Sequence, residues 1–301
     1  MSNPIFISVG GGKGGVGKST ITANIGALIA NQGHSVGFID ADLGGANLHL
    51  CLGVKRPAFG LQDFVCGSKK ALSDVAVQTA VPGSWLISGA SDFLELSNPK
   101  YAQKQKILNN LKKMKADYIF VDLGAGSDFN VTDFYAAFTN SIVVIDGMPL
   151  SIENAYGFLK SGIVRGLMRL FPGRREIHNA IRTFTNPGTA RGSVTIDELI
   201  RLLSKQYPAE TDTMREWLKK RKTFLILNMV RSNEDIKIGE RFSEIVKKYL
   251  SIRLHYIGYV TFSHEVRASI KEMKPIVLNG QTKTGDCFQS ITRNLIKLTQ
   301  G

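Results

Sequence analysis

The sequence predicts an α/β fold, a twisted and mostly parallel sheet flanked by helices, and three observations carry that prediction. The first is an apolar, β-prone run, Ile5-Phe6-Ile7-Ser8-Val9, which breaks into glycines and then into a segment with Ile21, Ile25, Leu28 and Ile29 at helical spacing. The second is the recurrence of short apolar runs, at residues 35–39, 118–121, 141–146 and 223–227, two of which lead straight into carboxylates, Asp40 and Asp122. The third is size: 301 residues with 43% apolar content can bury one large core. The chain is therefore read as one domain, 1–301.

Between the first strand and the first helix, residues 11–20 read Gly-Gly-Lys-Gly-Gly-Val-Gly-Lys-Ser-Thr. Strand, glycine loop and helix stand in the order that a phosphate cradle requires. Gly12, Gly14, Gly15 and Gly17 let successive backbone N–H groups turn inward, with Val16 and Thr20 in the same cradle. The helix N-terminus adds partial positive charge, Lys18 is placed to reach the β- and γ-phosphates, and the Ser19 hydroxyl can ligate Mg²⁺. A glycine-rich turn of a Rossmann-like protein is the plainer alternative, and Gly-Lys-Ser at this spacing argues against it.

A second lysine, Lys13, stands five residues ahead of Lys18. With it the loop resembles the deviant Walker A motif of the MinD/ParA family, Lys-Gly-Gly-x-Gly-Lys-Ser/Thr. The resemblance implies a P-loop ATPase in which Lys13 crosses a dimer interface to the nucleotide of the partner subunit, so that ATP is sandwiched in a homodimer.

The next strand ends in Asp40-Ala41-Asp42-Leu43-Gly44-Gly45-Ala46-Asn47, two carboxylates one residue apart at the sheet edge where ligands bind in open α/β folds. Taken alone, the pair could be an acidic turn capping a helix. By resemblance, Asp42 matches the aspartate that positions the attacking water and Asp40 one that supports the metal site. The strand at 118–122 then runs into Leu123-Gly124-Ala125-Gly126. Asp122 fits the role of holding Mg²⁺, and Gly124 can present a backbone amide to the γ-phosphate, which makes this turn a candidate switch.

Further on, Asn228 closes a buried-type strand where the family's adenine-contacting asparagine stands, and its side chain offers both a donor and an acceptor. Residues 257–262, followed by Val266-Arg267 and Lys274-Pro275, resemble the family's last strand and the helix after it. One departure is Thr261, where the family usually has proline.

Other features bound the function. No run of eighteen apolar residues and no signal-peptide pattern is visible, so a cytoplasmic location is expected. Cys51, Cys66 and Cys287 form no Cys-x-x-Cys pair, which argues against a disulfide framework and against an iron–sulfur cluster. The five histidines are scattered and are read as surface or packing residues.

About seventy residues separate the helix that begins near Ser151 from the strand at Thr223, more than a simple crossover needs. A helical insertion is expected at about 162–222, in three pieces: 162–172, 195–206 and 211–222. Residues 160–222 carry about fourteen Lys and Arg against about six Asp and Glu, a large share of the formal +13. This charge reads as a solvated surface, as a footprint for nonspecific DNA, or as a membrane-surface contact through residues 163–171. The last segment, with Phe288, Ile291, Leu295, Ile296 and Leu298, reads as a core helix rather than a basic membrane tail.

The expected function is a Mg-ATP-dependent dimerising ATPase that regulates the placement or number of a cellular structure through a protein partner. The 40–47 and 122–126 segments resemble the flagellar regulators of the FlhG/FleN type as much as any branch. A DNA-partitioning ATPase and a metabolic ATP-dependent enzyme of the same fold are the alternatives.

Overall fold

In the computed structural model, residues 3–42, 45–89, 101–185 and 195–300 are described. Leu43 and Gly44 of the acidic run lie outside them. Eight strands form one sheet: β1 (Ile5–Gly10), β2 (Val36–Asp40), β3 (Val77–Gln78), β4 (Ser84–Ile87), β5 (Tyr118–Asp122), β6 (Asn140–Asp146), β7 (Lys222–Val230) and β8 (Leu254–Thr261). Their order is β3-β4-β2-β5-β1-β6-β7-β8, and every pairing is parallel except β3 with β4. The mostly parallel α/β sheet is the one the sequence predicts.

Because side chains alternate across a strand, each strand feeds both faces. Tyr118 and Phe120 of β5 enter one core with Ile7 and Val9 of β1, while Ile119 and Val121 enter the other. The first core is covered by α1 (Lys18–Asn31), α2 (Leu48–Cys51) and α12 (Lys283–Gln300). In α12, Phe288, Ile291 and Leu295 are buried, so the last segment is a core helix. The opposite face carries α3 (Leu61–Cys66), α4 (Tyr101–Leu111), α5 (Phe129–Ala137), α6 (Pro149–Arg169), α7 (Arg175–Thr185), α8 (Ile196–Ser204), α9 (Pro208–Lys220) and α10 (Asn233–Leu250). A short helix, α11 (His264–Lys271), follows β8. Among the described residues, no helix is long and apolar enough to cross a membrane.

The helix boundaries between β6 and β7 differ from those expected. Gly162 is no boundary, since α6 runs unbroken from Pro149 to Arg169. Its two interior glycines serve close packing: a methyl on Gly162 would collide with the Tyr135 ring, and one on Gly166 with the Trp217 ring. Between α6 and β7, the described residues form α7, α8 and α9. The apolar residues of 163–171 that a membrane contact would need are turned largely inward, with Ile163 and Leu167 fully buried.

Part of the basic charge also faces inward. Asp133 of α5, 1% exposed, receives Lys104 of α4 at 2.6 Å, Arg165 at 2.6 Å and Arg169 at 3.5 Å. Arg221 is 7% exposed; it donates to the Tyr135 carbonyl and to Ser141 Oγ, and its guanidinium lies over the rings of Tyr135 and Trp217. Three of the cations counted as surface charge thus hold the fold together.

Candidate nucleotide site

The glycine loop sits at the carboxyl end of β1, the central position from which β5 and β6 diverge, and this is where open α/β sheets place ligands. Its glycines meet two different demands. Gly15 (φ +78°) and Gly17 (φ +91°) adopt left-handed backbone that side chains disfavour, and Gly17 serves as N-cap of α1. Gly12 is needed for space, because a Cβ there would collide with the Asn154 carbonyl of α6. The first turn of α1 thus begins inside the loop, with its unpaired N–H groups pointing where an anion would sit.

Lys18 is 8% exposed, and its ammonium lies 3.5 Å from the Lys13 carbonyl, so it spans the loop from beneath. Lys13 turns to the end of β6, where its Nζ is 3.9 Å from Asp146 Oδ2. Asp40 and Asp122 are register partners at the ends of adjacent strands, and both are buried. Asp40 accepts the backbone N–H groups of Asp42 at 3.1 Å and Leu48 at 3.0 Å. Asp122 is hydrogen-bonded by Ser19 and more weakly by Thr22, at 3.4 Å. Burial, with Asp122 alongside, pushes the Asp40 carboxyl well above the usual carboxylate range. Burial pushes Asp122 up to about 6, against the opposing pull of Ser19 and Lys18. Two carboxylates this close and this dry resist charging without a cation. Asp122 and Ser19, with Asp40 behind them, are therefore a donor set that fits Mg²⁺.

Asp42 reaches across to the turn after β5: a Cβ on Gly124 would lie 3.2 Å from Asp42 Oδ1. The acidic run and the candidate switch turn are therefore side by side. Asn228 is brought to the loop as well. Its Nδ2 donates to the Val16 carbonyl at 2.8 Å and lies against Gly17, so the donor half of the amide holds the loop.

A cavity of about 890 Å³ opens over these groups, running from Gly14, Lys18 and Thr20 past Asp42 to Asn228 and Phe262. Its far wall is built from residues the sequence reading did not assign to the site, including Met229, Phe262, His264 and Arg267. The signal available for them was positional, since they end β7 or follow β8 on the ligand-binding edge. Among the described residues, no cluster of His, Cys, Asp and Glu groups into a further metal site.

The family model for the CobQ/CobB/MinD/ParA nucleotide binding domain matches residues 7–276. The chain belongs to this family. Among curated proteins, this MinD/ParA-type chain is 32% identical over 167 residues to the flagellum site-determining protein YlxH of Helicobacter pylori, covering 52% of this chain and 53% of that one. It is 34% identical over 158 residues to the antiactivator FleN of Pseudomonas aeruginosa, with 51% and 55% covered. The chain therefore spans about half the length of the curated relatives it matches. Among solved structures, the cell division ATPase MinD of Pyrococcus furiosus superposes with a TM-score of 0.67 over 98% of this chain and 99% of that one, at 19% identity. MinD from Pyrococcus horikoshii, solved with Mg-ADP, gives 0.65 at 20% identity, with 98% and 97% covered. At such identities the likeness establishes the fold.

Proposed function

We propose that this chain is a Mg-ATP-dependent molecular switch that dimerises around its nucleotide, hydrolyses it slowly and acts on a protein partner to set the placement or number of a cellular structure. The observation that carries the reading is the loop at residues 11–20, with Lys18 seated under it and Lys13 beside it at the surface of the nucleotide edge. Asp42 and Gly124 meet above the same loop.

In this reading the backbone N–H groups of Gly14 to Thr20 and the Lys18 ammonium hold the phosphates, and Asp42 orients a water in line with the γ-phosphorus. The water oxygen forms a bond to phosphorus as the bridging oxygen to ADP leaves, and inorganic phosphate is released. Lys13 of a second copy adds positive charge to the transferring group, which ties turnover to dimerisation. Mg²⁺, held by Ser19 and Asp122, would neutralise charge on the phosphates. A flagellar or division-related role is supported by the names of the relatives, among them a flagellum site-determining protein and septum site-determining MinD proteins.

A DNA-partitioning role rests on the basic helices of 162–222. It is the weaker reading, because Arg165, Arg169 and Arg221 are engaged inside the fold. The test is molar mass by light scattering with ADP and with ATP, using Asp42→Ala to prevent turnover. A dimer with ATP alone is expected, and a monomer in both would overturn the switch.

A further inference from the structure

The nucleotide cavity occupies the carboxyl end of the sheet, and a second hollow lies at the opposite end. Trp85, near the start of β4, is the register partner of Gly37 in β2, and its ring rests on that glycine, where an added methyl would collide with it. A cavity of about 480 Å³ opens beside the ring, between residues 71–76 and the chain that follows α4. Ala71, Leu72, Ala76 and Met114 give it apolar walls, and none of the residues lining it is acidic. Lys113 and Lys115 form one rim; both are exposed, and among the described residues neither ammonium meets a carboxylate. The acids nearest in sequence are engaged elsewhere, Asp117 with Ser35 and Asp74 with the Ala71 N–H.

We infer that this hollow docks an acidic segment of a partner protein, one in which an apolar side chain is flanked by Asp or Glu. The inference rests on the reading above only in that a protein partner exists, and it names the place and the chemistry of one contact. A tryptophan held from behind offers a large apolar surface at little cost in freedom, and methionine beside it adapts to the shape of an inserted side chain. The unpaired lysines supply the charge complementarity that selects acidic neighbours of that side chain. A nucleic acid fits less well, because its phosphates need positive charge along their track, whereas here the lysines stand on one rim and Asp74 is exposed on the other. Since the hollow lies at the far end of the strands from the glycine loop, its occupancy does not follow the nucleotide. It is a standing attachment point, separate from the surface that responds to ATP.

The test uses the full chain labelled with 5-fluorotryptophan and read by ¹⁹F NMR; its two tryptophans, Trp85 and Trp217, are told apart with Trp217→Phe. The probe is a synthetic peptide alternating Glu with Leu and Phe. One control peptide has Ser in place of Leu and Phe, and an oligothymidylate stands for nucleic acid. The peptide should shift the Trp85 resonance and leave that of Trp217, with equal affinity in ADP and in ATP. Lys113→Glu combined with Lys115→Glu should weaken it about 10-fold or more, with an unmoved Trp217 resonance reporting an intact fold. A Trp85 resonance indifferent to the peptide, or an affinity indifferent to the charge reversal, would overturn the proposal. Equal shifts from the serine control would reduce the hollow to a generic basic surface, and a shift from oligothymidylate alone would make it a nucleic-acid site. A peptide affinity that falls as protein concentration rises would make the occupant a second copy of this chain. A chain that stays monomeric with ATP yet binds the peptide would lose the switch and keep this docking site; an ATP-dependent dimer blind to the peptide would do the reverse.

Discussion

Gly12 and Gly15 are three residues apart and should fail in different ways when replaced. At Gly15 the backbone is left-handed and nothing lies within 4 Å of an added Cβ, so Gly15→Ala meets only conformational strain, about 1–2 kcal/mol. At Gly12 the obstacle is the main chain of α6, where an added Cβ collides with the Asn154 carbonyl and lies 2.7 Å from the Ala155 nitrogen. No side-chain rotation can relieve that contact. Overpacking of this kind costs about 1–3 kcal/mol, and a rigid backbone neighbour places Gly12→Ala at or beyond the upper end. Urea unfolding should thus show both variants destabilised, with Gly12→Ala the worse, and nucleotide titration should show the larger loss of affinity there because the loop must leave α6. Asparagine tolerates left-handed backbone, so Gly15→Asn should recover much of the loss while Gly12→Asn should not. If Gly12→Ala unfolds at the parent's midpoint and binds ATP normally, the loop does not abut α6 and the geometry argued above is wrong.

Other substitutions probe the pairs around the site and the core. Lys13 and Asp146 form a partly exposed pair, worth up to about 1 kcal/mol, that competes with any contact Lys13 makes to a second copy. Asp146→Asn should tighten the ATP-bound dimer by up to about 5-fold in sedimentation, and a weakened dimer would contradict this. At Asp133, burial alone would raise the carboxyl, but hydrogen bonds and charge from Arg165 and Lys104 outweigh it and hold it below the ordinary value. The stabilisation is therefore complete above the unfolded-state value, near ~4, and is lost as pH falls through the lower folded one. Asp133→Asn should cost about 3–5 kcal/mol at pH 7 by stranding buried Lys104, and should flatten the fall in unfolding free energy below about pH 4 that the parent shows. Arg221→Lys keeps the charge but loses the planar contacts over Tyr135 and Trp217, so thermal unfolding should come earlier by the equivalent of about 1–2 kcal/mol.

Much of the nucleotide edge was legible because its chemistry is local. The loop needs glycines, lysine and serine at fixed spacing, and Asp40 and Asp122 end strands whose apolar runs are visible. What was hidden depends on pairs distant in sequence. Asp133 meets Lys104, Arg165 and Arg169, which lie 29, 32 and 36 residues away, and no periodicity announces such a meeting. Arginines at 165, 169 and 221 therefore read as surface charge, although each has a buried or half-buried partner. Gly162 read as the start of an inserted piece for a similar reason: the sequence shows a small residue, and only the fold shows the Tyr135 ring that needs the gap. Asn228 was found at the right place but with its donor turned to the loop, a detail set by the 2.8 Å approach of the Val16 carbonyl.

The ties on Asp133 also fix where the site can move. β5 ends in buried Asp122, and α5 starts from Asp128, whose side chain accepts the N–H groups of Asn130 and Val131. Only the short turn from Leu123 to Ser127 joins these two posts, and the second is bolted to α4 and α6 through Asp133. A tether of that length reaches about 20 Å at most, and its ends stay where they are. In the proposed switch, a change in a phosphate held near Gly124 would reshape the turn rather than drag α5 along the sheet. In that switch the turn would therefore act as a detector rather than as a lever.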